Sequence, residues 1–239
     1  MNKHQAVINR RTALQSTVAI GSTLFASRGA FAELIKTPSQ TEGPFYPNQL
    51  PLDTDNDLLV INDSITPAVG EITHLGGIVR DQSGSPIRNA FVEIWQVDNN
   101  AVYLHTGDKT NRANQDKNFQ GYGRFLTDGQ GRYYFRTIKP VPYPGRTPHI
   151  HFGVSKAGQR VLTTQLYIKG HSNNAKDGLL NRLSEEQQKM LLGNFQPIKD
   201  SKIGELMVNF DITLGMTPDD DLRKDLKGVA KPVWKSRSS

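Results

Sequence analysis

The sequence predicts an all-β protein, a β-sandwich with an N-terminal extended arm and one short helix. Three observations predict it. Short segments with strand-like composition recur between dense turn signals, one segment alternates apolar and polar residues without a break, and a single stretch carries helix-capping chemistry.

Taken in order, residues 36–71 are rich in Pro, Asp, Asn and Thr and read as the arm, extended with turns. Glu71–Arg80 is the first strand, closed by the turn Asp81-Gln82-Ser83-Gly84-Ser85-Pro86. Asn89–Val97 is the next, and Asp128-Gly129-Gln130-Gly131 turns the chain into Arg132–Ile138. His149–Val154 and Leu162–Ile168 follow. Over 206–214, Leu206, Val208, Phe210, Ile212 and Leu214 face one way while Met207, Asn209, Asp211 and Thr213 face the other. That period of two predicts one half-buried strand. The helix spans 184–192, where Ser184 and Gln187 form a capping box and Gly193 stands at the position of a C-terminal stop. No linker divides these elements, so residues 33–239 read as one domain.

Residues 1–32 have another character. They carry Lys3, Arg10, Arg11 and Arg28 without an acid, then a weakly apolar run and the small-x-small site Ala30-Phe31-Ala32. These are the three parts of a secretory signal. The apolar run is shorter than the roughly 20 residues a bilayer span needs, so no stable membrane anchor is expected. Arg10-Arg11 points to the twin-arginine route. The expectation is a protein exported to the periplasm or the extracellular space once the signal is cleaved. Setting the segment aside lowers the formal net charge from +6 to +2. No basic stripe with interleaved aromatics is left to argue for nucleic acid. The absence of cysteine excludes disulfides, thiolate zinc sites, iron–sulfur clusters and a cysteine nucleophile.

The chemistry concentrates in Val141-Pro142-Tyr143-Pro144-Gly145-Arg146-Thr147-Pro148-His149-Ile150-His151-Phe152. Alternate side chains of a strand share a face, so His149 and His151 point one way while Ile150, Phe152 and Val154 point into the core. Two imidazoles one strand repeat apart can share a metal. The Pro- and Gly-containing turn before them can hold Tyr143 and Arg146 close by. Imidazole suits zinc, copper, nickel or iron. No carboxylate lies near the two histidines in sequence, which weakens a two-His-one-carboxylate ferrous site. A phenolate donor would favour ferric iron, because phenol titrates near pH 10 in water and needs a strong Lewis acid to bind as the anion. His74, His105 and His171 lack ligand-like spacing and read as structural, and Trp95 reads as core. Tyr122, Tyr133, Tyr134 and Tyr167 read as core or rim, and Pro44, Phe45 and Tyr46 as a border of the pocket.

The order of motifs over residues 37–214 resembles the intradiol ring-cleavage dioxygenases, the protocatechuate and catechol dioxygenase family. The resemblance is carried by Thr37-Pro38-Ser39-Gln40-Thr41-Glu42-Gly43-Pro44-Phe45-Tyr46-Pro47, Gly76-Gly77, Pro86, Val92-Glu93-Ile94-Trp95-Gln96 and Tyr103. It continues through Gly131-Arg132-Tyr133-Tyr134-Phe135-Arg136-Thr137-Ile138-Lys139-Pro140, Tyr143-Pro144 and His149-Ile150-His151-Phe152. It implies a β-sandwich enzyme with non-haem Fe(III) held by Tyr103, Tyr143, His149 and His151. Its substrates would be dioxygen and a catechol-type diol, opened between the adjacent hydroxyls to a muconate-type diacid. In this scheme Tyr143 is the displaceable ligand and base, Arg146 stabilises developing negative charge, and Gln165 matches a further polar site residue. A ferric ion with two phenolates and a hydroxide is neutral, and so is one with one phenolate and a catecholate dianion, so substrate exchange buries no net charge.

The sequence departs from the family pattern twice. Ala101 stands where glycine is common, and the segment from Tyr143 to His149 is short. Two other readings compete: a secreted, non-catalytic binder of catechols or aromatic polymers on the same scaffold, and a His-based copper or zinc protein. The identity of the diol and the oligomeric state stay open.

Overall fold

Among the described residues, segments rich in β-branched and aromatic side chains, interrupted by turns, build ten strands in two sheets. The computed structural model describes residues 33–51, 53–62, 65–109 and 111–215, so residues 1–32, on which the expectation of an export signal rests, lie outside the described residues. The strands are β1 (Ile72–Arg80), β2 (Ala90–Trp95), β3 (Tyr122–Leu126), β4 (Arg132–Ile138), β5 (His149–Lys156), β6 (Gln159–Ile168), β7 (Leu192–Gly193), β8 (Gln196–Pro197), β9 (Leu206–Asn209) and β10 (Ile212–Thr213). Helix α1 (Glu185–Leu191) precedes β7.

In one sheet β1 is the hub. It pairs antiparallel with β4 and parallel with β9 and then β10, while β8 pairs with β9. The other sheet runs β3-β2-β5-β6-β7. The two close over a shared apolar core. Val92, Ile94, Ile150, Phe152, Val154 and Leu166 come from one sheet, and Leu75, Val79, Phe135, Val208, Phe210 and Ile212 from the other. Phe152 and Phe210 meet across it with ring centroids 4.9 Å apart. This is the predicted all-β sandwich.

Three details differ from the sequence reading. Strand β3 was not predicted, because Gly123 and Arg124 break its apolar pattern; a side chain at Gly123 would meet Leu58 and the Asp55 carbonyl of the overlying arm. The 206–214 segment keeps its alternating burial but pairs as two strands. Between them Tyr133 donates its hydroxyl to the Phe210 carbonyl, and the backbone N–H of Ile78 goes to Asp211 Oδ1 at 3.0 Å. Ser184 and Gln187 do form the capping box of α1. Gly193, however, is not a helix stop; it pairs in β7, where a side chain would collide with Leu166 and Val208.

Strand β5 has no exposed face: all eight of its residues are buried. The arm covers the side turned away from the core. On that side Gln165 Nε2 donates to the Thr41 carbonyl at 2.9 Å, and the Tyr167 hydroxyl lies 2.8 Å from Gln40 Oε1. A sandwich sheet normally leaves this side to water. Here it is sealed, with polar side chains inside.

Candidate metal centre

Strand register assembles the buried polar face. Residues opposite one another in an antiparallel pair project to the same side. His151 lies opposite Trp95 on β2 and Gln165 on β6, and His149 lies opposite Tyr167. The predicted split of β5 holds, with Ile150, Phe152 and Val154 in the core and both imidazoles on the other side. Ahead of the strand, Tyr143 and Arg146 close a tight turn, the Arg146 N–H donating to the Tyr143 carbonyl at 3.0 Å. Gly145 sits there at φ 79°, a left-handed conformation that suits glycine.

Tyr103 arrives from a loop built around Asp98. Asp98 Oδ1 accepts from the N–H groups of Asn100 and Val102 at 2.8 and 2.9 Å. Ala101 takes φ 63° in this turn, which is why glycine suits its position. The Tyr103 N–H donates to Asp108 Oδ2 at 2.8 Å, and Phe45 of the arm stacks on the Tyr103 ring at 5.1 Å.

Three side-chain atoms then converge. His149 Nε2 and His151 Nε2 are 3.2 Å apart, and Tyr103 Oη lies 3.1 Å from His151 Nε2 and 3.4 Å from His149 Nε2. His149 Nδ1 lies 2.7 Å from the Thr147 carbonyl, so it carries the proton and Nε2 keeps its lone pair toward the other two atoms. Burial, reinforced by the Arg146 charge, pushes the His149 pKa down to about 3. Burial and then His149 hold that of His151 well below the ordinary imidazole value. Both rings are neutral donors across the usual pH range. Burial, with the Tyr143 phenol beside it, pushes the Tyr103 hydroxyl up. Tyr143 is half-buried, its ring 5.5 Å from that of Tyr103 and 5.4 Å from that of His149.

Arg146 ties the rim together. Its Nε donates to Asp177 Oδ2 at 2.8 Å, Nη2 to Gln165 Oε1 at 2.7 Å, and Nη1 to Tyr143 Oη at 3.4 Å. Burial opposes its charge, but the bond to Asp177 and the phenol of Tyr143 outweigh that and hold its pKa up. Gln165 is fully buried and also donates to the Thr41 carbonyl of the arm at 2.9 Å. Beside this rim lies a cavity of about 220 Å³ lined by Tyr143, Arg146, Thr147, Asn173, Lys176 and Asp177.

All five predicted site residues besides Gln165 therefore gather at one end of β5, and Gln165 joins them through Arg146. Sequence reasoning missed Asp177, which lies 31 residues from Arg146 and arrives on the loop after β6. Tyr167, read as core or rim, is fully buried, and its hydroxyl lies 2.8 Å from Gln40 Oε1 and 2.9 Å from Gln165 Oε1, a place beside the site that the sequence reading did not give it. Only the cross-strand register could have found it. Asp177 does approach His149 in space but pairs with Arg146, and Glu93, on the same sheet face, pairs with Arg160; neither bonds an imidazole. Phe45 borders the site as expected; Tyr46 turns away and donates to Glu93 Oε1 at 2.7 Å. His74, His105 and His171 all bond elsewhere.

The donor set fits a hard, highly charged cation. Among the described residues no three His, Asp or Glu side chains group as a metal site, so a metal here would depend on phenol oxygen. Neutral imidazole nitrogens and a phenol that only a strong Lewis acid would deprotonate suit ferric iron better than zinc.

A family profile described as dioxygenase matches residues 41–216. The chain is 37% identical over 155 residues to the protocatechuate 3,4-dioxygenase beta chain of Burkholderia cepacia, covering 61% of this chain and 65% of that one. It is 33% identical over 152 residues to catechol 1,2-dioxygenase 2 of Acinetobacter lwoffii, covering 56% of this chain and 52% of that one. The chain thus spans about half to two thirds of the length of the curated relatives it matches. Among solved structures, the dioxygenase domain of a dioxygenase–carbohydrate-binding protein fusion from Streptomyces sp. SirexAA-E superposes with a TM-score of 0.58 at 30% identity, covering 77% of this chain and 100% of that one.

Proposed function

This chain belongs to the intradiol ring-cleavage dioxygenase family, and from that premise we propose that it uses non-haem Fe(III) to open a catechol-type ring between its adjacent hydroxyls with dioxygen. The observation that carries the reading is the meeting of Tyr103 Oη, His149 Nε2 and His151 Nε2 within 3.1–3.4 Å in a buried, arm-covered site. Tyr103, Tyr143, His149 and His151 would hold the iron. Bound there, the ion would supply a Lewis acid that draws electron density from a chelated diol.

The protein groups divide the remaining work by burial. Tyr103 is sealed and stacked, so it would stay a ligand throughout. Tyr143 is half-buried beside the cavity, and its oxygen, ionised as a ligand, would take up a proton from the incoming diol and, as a hydroxyl, turn toward that space. Arg146 Nη1 faces the Tyr143 oxygen and would balance negative charge as it builds on the substrate, a preorganised role because Asp177 and Gln165 already hold the guanidinium. Gln165 would position Arg146. The cavity, about 220 Å³, has room for a monocyclic diol. The family's range of catechol, protocatechuate, hydroxyquinol and lignin-derived diols forms the substrate panel. The pattern in residues 1–32 supports an exported enzyme.

An oxygen electrode run over that panel with iron-loaded protein tests the activity: the expected result is dioxygen uptake with a ring-opened diacid, and diol binding without uptake overturns it. Phenolate-to-iron charge transfer should colour the loaded protein red. Tyr103→Phe and Tyr143→Phe should each change that band, and Tyr134→Phe should leave it in place. A colourless ferric protein would remove the phenolate ligands from the scheme.

A further inference from the structure

The two imidazoles are held by different means. His149 is fixed through Nδ1 by the Thr147 carbonyl, whereas His151 Nδ1 is buried and has no hydrogen-bond partner among the described residues. A ligand imidazole ordinarily donates its second N–H to an oxygen that sets the ring's orientation. His151 instead lies flat on Trp95, centroids 4.9 Å apart and planes 8° from parallel. Trp95 Nε1 is likewise buried without a partner, so the indole too is placed by its ring faces and edge.

What holds Trp95 is a charged cluster that the proposed reaction does not use. Strand β6 slips by one residue against β5 at Val154/Ser155, which sets Arg160 opposite Ser155. Such a bulge re-aims side chains. Without the slip Arg160 would share the core face of Leu162 and Thr164; with it, Arg160 lies on the histidine side and bonds Ser155 Oγ at 3.2 Å. Its guanidinium crosses β5 at Gly153, where any side chain would collide with it. Arg160 Nη2 donates to Glu93 Oε2 at 2.8 Å, and Glu93 Oε1 also accepts from Tyr46 and Tyr122. Burial, then the Glu93 charge, pushes both phenols up, so they remain donors. From this anchorage the guanidinium lies 6.0 Å over the Trp95 ring, and Tyr46 meets that ring edge-on at 5.0 Å.

We propose that Trp95 is a positioning residue for the metal centre: braced by Arg160 and Tyr46, it holds the His151 imidazole by stacking and so aims the His151 Nε2 lone pair. The bulge in β6, Gly153 and the Glu93–Arg160 pair serve that one placement. The inference rests on the metal-centre reading above, and one of its readouts is taken on metal-free protein so that the two can fail separately.

The experiment compares Trp95→Phe, Trp95→Leu, Gly153→Ala and a core-face control, Phe152→Leu, in the full chain. In metal-free protein, NMR should find the His151 ring protons shifted upfield by the indole, with the shift lost in Trp95→Leu and reduced in Trp95→Phe. In iron-loaded protein challenged with a chelator, Trp95→Leu should retain iron about 10- to 100-fold less well. Trp95→Phe should fall between it and wild type. Gly153→Ala, which displaces the guanidinium but keeps both charges, should show a smaller loss and a shifted visible band. Phe152→Leu should lower the melting temperature yet leave retention by folded protein unchanged. Retention in Trp95→Leu equal to wild type, or retention that follows melting temperature across all four variants, overturns the proposal. Wild-type protein that holds no iron while keeping the upfield shift overturns both the metal reading and the positioning role, leaving a packing contact.

Discussion

The two faces of the β2-β5-β6 sheet do different jobs with the same backbone. One carries Val92, Ile94, Ile150, Phe152, Val154 and Leu166 against the opposing sheet and is mainly apolar. The other carries Glu93, Trp95, His149, His151, Arg160 and Gln165, is also buried, and is held by charge, hydrogen bonds and ring stacking. Burial alone therefore does not tell core from site. What separates them is whether a buried group's contacts are non-directional or constrain where one atom points.

Adjacent residues of β5 offer the strongest way to break this contrast. Phe152→Ala should cost about 3–5 kcal/mol in chemical denaturation, through lost burial and a residual cavity. His151→Ala should cost the metal-free protein less than about 2 kcal/mol, while iron retention falls about a hundredfold or more. Equal stability losses in the two variants would mean that the faces are not functionally separate.

A second substitution asks how much of the fold the polar face carries. Glu93→Gln leaves Arg160 without its buried carboxylate, and breaking such a pair should cost about 3 kcal/mol. A loss within a few tenths of a kcal/mol, measured by urea unfolding, would show that the pair is already solvated.

Acid sharpens the comparison further, because only the polar face titrates near the site. Burial alone would raise the pKa of Asp177, but hydrogen bonds from the Leu180 N–H, Arg146 and the Thr147 N–H outweigh it and hold it below the usual carboxylate value. A carboxyl depressed in the folded state adds stability above its unfolded pKa, about 3.9, and loses it as pH falls through the folded value. Asp177→Asn should therefore be less stable than wild type at neutral pH, with the gap closing below about pH 4. A gap that stays constant in acid denaturation would remove Asp177 from the account.

The smallest effect lies in the lead-in to Tyr103. Ala101 holds φ 63°, a conformation costly for a residue with a Cβ. Ala101→Gly should stabilise the protein by about 0.5–1 kcal/mol, net of the extra chain entropy of glycine. Thermal unfolding checks the sign.

The apolar face was the legible one. Turn signals and strand-like composition located β1 and β4, and a period of two sorted the faces of β5, because both are local properties of the chain. The same alternation put His149 and His151 together, and motif order supplied Tyr103, Tyr143, Arg146 and Gln165. The supports of the polar face were not legible. Asp177 reaches Arg146 from beyond β6, and Tyr167 meets His149 only through strand register. Arg160 lies on that side only because β6 slips by one residue, which no local pattern announces. Side-chain chemistry can be read residue by residue; the partners that orient it depend on pairing between distant segments.

The arm that roofs the site has a consequence for the order of assembly. The Thr37 N–H reaches the Thr213 carbonyl, and the Thr213 N–H returns to Thr37 Oγ1, across a separation of 176 residues. Thr37 leaves the ribosome early yet gains this pair of bonds only when β10 emerges. Closing so large a loop comes late in folding, so this end of the arm is pinned after the contacts that Gln40 and Thr41 make with β6.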